Sequence, residues 1–182
     1  MENNFETGVG FVAGPQFTQA YPMVNCVTSA PGLEIATASH LTVENANTFF
    51  VRQGSSSSQM AISYVAASTV FPALTGPHLA FDNGTVPEPT NSCRCYTFFA
   101  TVSPTAPGTV TITVGYGQDF PKTRPAYASD FYLGDGTKAI IGYLYVKNES
   151  SAAFVPGTTA LNTSGITATP SDQFGYSPAT CT

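Results

Sequence analysis

The sequence predicts an all-β chain: an antiparallel β-sandwich or barrel-like domain with an extended N-terminal arm. Three observations lead there. Short runs rich in Val, Ile, Thr, Tyr and Phe recur along the chain, separated by Gly, Pro, Asn and Asp, which is the punctuation of strands and turns. The stretch TVTITVG (109–115) alternates strictly, with Val110, Ile112 and Val114 on one side and threonines on the other, as a strand with one buried and one solvated face requires. No stretch combines capping residues with an i, i+3, i+4 apolar stripe of useful length, so no helix is expected.

The 182 residues suit one domain with extensions. The expected organisation is an arm over 1–26, a single β domain over 27–170 and a polar tail over 171–182. The arm carries Gly8, Gly10, Gly14, Pro15 and Pro22 and has no sustained period. Its aromatics, Phe5, Phe11, Phe17 and Tyr21, recur singly. Tails that stay disordered are poor in aromatics, so these four are the candidate interface residues, docking on a neighbour within a reach of up to ~3.3 Å per residue.

Within the domain, strands are expected over 33–38, 47–52 and 60–65, the last also readable as a short helix, with a serine-rich loop at 54–58. The run 69–74 is broken by Pro72 and fits an edge or an extended connection. A loop over 85–92 leads to CRCYTFFATV (93–102), read as a central strand. The turn SPTAPG (103–108) then joins it to 109–115 as an antiparallel hairpin, because its prolines donate no ladder hydrogen bond and Gly108 can take positive φ. A long connection over 117–136 ends in the turn Gly134-Asp-Gly. In the strand 139–146, Ile141, Tyr143 and Tyr145 are expected on one face, and Ile140, Gly142, Leu144 and Val146 on the other. Both faces are apolar, so this strand should be central and covered on both sides. A turn at 156–159 and a last strand at 166–169 complete the domain.

Composition narrows function by exclusion. Charged residues make up 9% of the chain, against ~25% in ordinary globular proteins. A free-standing protein usually covers itself in Lys and Glu, which keep strand edges from pairing; this chain offers Thr, Ser, Asn, Gly and Pro instead. Such a surface suits contact with other protein or work outside the cell. Six basic residues without a cluster, and a net charge of −5, leave no phosphate-binding footprint, so no nucleic-acid partner is expected. No apolar run approaches the ~20 residues that span a bilayer, and MENNFETGVGF lacks the basic and apolar regions of a signal peptide. No membrane partner is expected either.

The chemistry-bearing residues form no recognisable constellation. His40 and His78 lie in contexts without a catalytic motif, and no G-x-S-x-G, HExxH or P-loop occurs. Asp119, Asp130 and Asp135 lie in one connection and could share a site, but turn formation is their ordinary role. Cys93 and Cys95 are too close to bridge with good geometry. Cys26, Cys93, Cys95 and Cys181 therefore read first as free thiols packed as small hydrophobes, with a disulfide to Cys26 or Cys181 as the alternative. Three N-x-[ST] sequons, at Asn83, Asn148 and Asn162, are expected by chance in so Ser/Thr-rich a chain. The absence of Trp removes the commonest sugar-stacking platform. The expectation is a protein that is not an enzyme, with no catalytic residues, no cofactor and no metal.

The strings GTKAIIGYLYVKN (136–148), FVPGTTALN (154–162) and GITAT (165–169) resemble a pattern of small β-rich auxiliary proteins of tailed-bacteriophage virions, of the capsid decoration (cement) or fibre type. The resemblance extends over about 60–170, including FPALTGPHLAF (71–81) and the hairpin of 96–115; residues 1–59 do not share it. It is a pattern of strands and turns, not a catalytic motif. It implies a structural virion protein that decorates or cements a capsid through multivalent contacts. The implied partners are the major capsid protein or other virion proteins and further copies of the chain, a trimer by analogy. The implied location is the virion, assembled in a bacterial cytoplasm where cysteines stay reduced. The alternative is a fibre or tail-associated adhesion module binding a host-surface glycan or protein, and a small secreted hydrolase is the contrasting reading.

Overall fold

Strand follows strand along the chain. The computed structural model describes residues 25–37, 40–54, 60–71, 87–103, 108–134, 136–172 and 175–176. These form β1 (Cys26–Val27), β2 (Leu33–Ile35), β3 (Val43–Asn45), β4 (Phe49–Gly54), β5 (Met60–Val65), β6 (Ser92–Val102), β7 (Val110–Tyr116), β8 (Phe120–Pro121), β9 (Ala139–Asn148), β10 (Ile166–Asp172) and β11 (Gly175–Tyr176). One 3-10 turn, Ala128–Asp130, is the only helical element among the described residues. All the ladders are antiparallel. The predicted all-β antiparallel class is what the chain adopts.

Two sheets face each other. The first has the order β11-β1-β4-β5, and the second β10-β9-β6-β7, with β8 paired to the N-terminal end of β6. Their facing sides share one core. Val27, Phe49, Val51 and Val65 come from the first sheet, and Tyr96, Phe98, Ala100, Val102, Val114, Leu144 and Val146 from the second. This is the two-layer solution for sheets with an apolar face. The predicted hairpin is present, with Val102 opposite Val110 and Phe98 opposite Val114.

The second sheet is covered on its other side too. There Cys93, Cys95 and Tyr145 pack with Phe120, Ala126 and Phe131, and Phe99, Ile140 and Tyr143 with Phe131, Tyr132 and Leu133. The long connection after β7 supplies this cover, which is why β6 and β9 are apolar on both faces. Arg124 fastens it: its guanidinium bonds Asp130 at 2.6 and 2.8 Å and lies 4.5 Å from the ring centroids of both Phe120 and Tyr127.

Three expectations need correction. The faces of β9 are not those that simple alternation assigns. A bulge between Phe98 and Phe99 of β6 leaves Phe98 opposite Gly142 and Phe99 opposite Ile140. The extra residue moves Ile141 to the inner face with Leu144 and Val146, and Ile140 to the outer face with Tyr143, because a bulge reverses parity beyond it. The tail expected over 171–182 starts inside a sheet: Ser171 and Asp172 end β10, and β11 pairs with β1. Finally, Cys26, placed at the end of the arm, belongs to β1, paired with Arg52.

Side-chain amides set the register of the first sheet against the second. Asn25 donates to the Gly136 carbonyl at 2.7 Å and accepts from the Gly54 N–H at 3.1 Å. Gln53 accepts from the Val102 N–H at 2.6 Å and donates to the Thr137 carbonyl at 3.2 Å. Buried Asn45 donates to the carbonyls of Asn47 and Ala66, just beyond β5, at 2.8 and 2.7 Å. β4 and β5 are thereby held in one register.

Candidate functional site

The four predicted interface aromatics, Phe5, Phe11, Phe17 and Tyr21, lie outside the described residues. So do His78, Asp135, Asn83 and Cys181. Elsewhere the structure separates what proximity in sequence grouped. Asp119 pairs with Arg94 and Asp130 with Arg124, so the two carboxylates serve different guanidinium groups. His40 is exposed, at a φ of 51°. No group of three or more His, Cys, Asp or Glu side chains among the described residues could hold a metal ion. Cys26, Cys93 and Cys95 are buried and none is in a disulfide. Burial pushes the Cys93 thiol up, and the Tyr145 hydroxyl that donates to its sulfur at 2.9 Å offsets this in part. Asn148 is fully buried, so its sequon is closed to modification in the folded chain, whereas Asn162 is exposed.

Two places stand out. The first is a polar cluster at one end of the sandwich. Arg94, on the inner face of β6, grips Asp119 with a two-pronged bond at 2.7 and 2.8 Å and reaches the Pro87 carbonyl at 3.3 Å. Its guanidinium lies 4.9 Å from the centroid of the Tyr116 ring. Glu88 is fully buried beside it. Its backbone exchanges hydrogen bonds with Phe154 at 2.8 and 2.9 Å. The Asn148 amide donates to the carbonyls of Glu88, Pro89 and Ala152 at 3.3, 3.2 and 2.9 Å.

The Glu88 carboxyl is the anomaly of this cluster. The Tyr96 hydroxyl and the Asn148 backbone lie alongside, but no donor closes a well-aligned hydrogen bond on either carboxyl oxygen. Burial pushes its pKa up to about 9; neighbouring Arg94 pulls it down only in part, and Asp119 adds to the rise. One guanidinium balances one carboxylate, and the second carboxyl stays protonated. A neutral carboxylic acid can donate a proton, but this one has no exposed surface from which to do so. The cluster closes the end of the sandwich.

The second place is the outer face of the β4–β5 hairpin. Phe50 is 47% exposed, Ile62 60% and Tyr64 61%. Phe50 stands directly opposite Tyr64, and Arg52 opposite Ile62, so the four form one patch on adjacent strands. β5 alternates in the unexpected sense. Its inner residues are Ala61, Ser63 and Val65; its outer residues are the larger and more apolar Ile62 and Tyr64. Ser63 is buried, and its hydroxyl meets no partner. A strand amphipathic by sequence thus shows its apolar side to solvent. Among the described residues β5 is also an edge strand, and it carries no charge and no proline, the devices that ordinarily keep an edge from pairing.

Composition alone does not reveal this patch, because alternation in MAISYV points Ile62 and Tyr64 inward. The one sequence signal was the doublet Phe49-Phe50, which forces one large aromatic out of the core whichever way β4 faces. No described helix is long and apolar enough to cross a membrane. No family model, no curated protein and no solved structure matches the chain.

Proposed function

We propose that the chain is a structural protein of a tailed-phage virion, one that decorates or cements the capsid through many small contacts with the shell and with neighbouring copies. The observation that carries this reading is the outward apolar face of β4 and β5. Burying Ile62, Tyr64 and Phe50 against another protein would return to the strand the hydrophobic stabilisation that an isolated copy forgoes. The sparse charge of the whole chain suits a surface that is largely interface, and the resemblance of 136–169 to virion auxiliary proteins supplies the kind of assembly. In such an assembly each contact is modest, and attachment grows through repetition, because the second contact is intramolecular once the first has formed.

The test is to localise the protein. Immunogold labelling of particles purified from the source lysate should decorate the capsid. Tyr64→Lys should lower its occupancy on the shell several-fold while leaving the fold intact. Deletion of 1–24, which spares β1, should weaken attachment further if the aromatic arm docks on a neighbour. Label confined to a fibre tip, with loss of host adsorption in the Tyr64→Lys variant, would overturn the cement reading in favour of host binding.

A further inference from the structure

We infer that Arg94 serves two carboxylates in turn: it holds Asp119 while Glu88 carries its proton, and it turns to Glu88 once that proton is lost, letting Asp119 swing into water. The three side chains make a pH-operated catch on the short loop between β7 and β8. The catch belongs to the closed end of the sandwich and stands apart from the virion role.

Unequal burial around one cation carries the inference. The Arg94 side chain is 3% exposed and that of Asp119 32%, whereas Glu88 has no exposed surface. A carboxylate taken out of water needs a cation or hydrogen-bond donors. Asp119 can rely on water, because it stands with Gln118 at the surface. Glu88 can rely only on the cation, since neither of its oxygens meets an aligned donor. When a second negative charge forms in the cluster, the less costly arrangement gives the guanidinium to the buried carboxylate and water to the other. The move is short. The guanidinium already reaches the carbonyl of Pro87, the residue before Glu88, at 3.3 Å, and the Tyr96 hydroxyl lies beside both Arg94 and Glu88.

The loop is built to release Asp119. On one side the Gly117 N–H donates to the Cys95 carbonyl at 2.9 Å; on the other Phe120 pairs with Cys93. Only Gln118 and Asp119 need move. Arg94 and Tyr96 face Glu88 from β6, and Asp119 faces it from the loop. Asn148 and Phe154 approach it without charge. Tyr116 of β7 stacks on Arg94, and Cys93 and Tyr145 act from the outer face of the same sheet. Burial pushes Tyr96, Cys93 and Tyr145 up, so these three keep their protons while Glu88 gives its own to the solvent.

The test is a titration of the full-length chain from about pH 6 to 10 by carbon-detected NMR. The side-chain carboxyl carbons of Glu88 and Asp119 and the guanidinium carbon of Arg94 should shift together in one reversible step, while the methyl groups of Val114 and Leu144 stay in place. Glu88→Gln should abolish the step. Asp119→Asn removes the competitor and leaves Arg94 to Glu88, so Glu88 should lose its proton at a pH lower by roughly one unit or more. A Glu88 that titrates alike in Asp119→Asn and the parent, a Glu88 step that leaves Arg94 and Asp119 unmoved, or a shared step that survives Glu88→Gln would each overturn the hand-over. So would a step in which every resonance collapses to unfolded values, because Glu88 would then ionise only on unfolding. Each of these outcomes leaves the virion role standing.

Discussion

At the scale of single residues, Glu88 ties stability to pH. Its ordinary pKa is 4.5, and burial raises it to about 9. The folded chain therefore holds a proton that the unfolded chain releases. The stability linked to this proton is complete below the unfolded value and is lost as pH rises through the folded one. Glu88→Gln should remove that loss. The variant and the parent should be about equally stable at pH 4, and the variant ahead by roughly 3–5 kcal/mol at pH 8, read from denaturant melts at each pH. A parent as stable at pH 9 as at pH 5, relative to the variant, would show that Glu88 ionises freely in the folded chain. Asn148 is the second residue with an outsized part, since one amide serves three carbonyls. Asn148→Ala should cost about 2–3 kcal/mol and loosen the bridge between Glu88 and Phe154, which amide exchange at Phe154 would report.

The elements divide by how much of their role a local pattern can express. β7 was legible because strict alternation has one explanation, and β6 and β9 because a run apolar on both faces must lie between two covers. β1, β8 and β11 have two residues each and are too short to show any period, so only pairing reveals them. β9 shows the limit within a long strand. Its position was evident, but the parity of Ile140 and Ile141 depends on a bulge against β6 that leaves no mark in the apolar pattern. β2 is held in place by a contact remote in sequence: the Asp172 carboxylate accepts from the N–H groups of Gly32 and Leu33 at 3.0 and 2.7 Å. Asp172→Ala should cost about 1–2 kcal/mol and raise the exchange rate of those two amides before it affects those of β6.

At the scale of the molecule, one core spans both sheets, and unfolding should be a single transition. Phe98, fully buried at the centre of β6, meets Phe71 with ring centroids 5.4 Å apart. Phe98→Ala should destabilise by about 3–5 kcal/mol, with far-UV and tyrosine near-UV circular dichroism melting together. Separate transitions would mean that the sheets fold independently. The buried thiols of Cys93 and Cys95 should stay unreactive toward a thiol reagent at neutral pH until that same transition.

Local pattern alone was enough for the fold class and for the central strands. Turn residues at regular intervals, one strictly alternating strand and two doubly apolar ones permit little besides an antiparallel sandwich, because these signals are local and each has its own physical cause. The way β5 faces was decided only in the tertiary structure. Asn25 and Gln53 lock the first sheet to the second through hydrogen bonds between residues far apart in sequence, and Asn45 ties the start of β4 to the end of β5. That register turns Ser63 inward and Ile62 outward, against the preference of the strand taken alone. A pattern of residues can say that a strand has an apolar face; the partners that hold it in register decide whether that face meets the core or the outside.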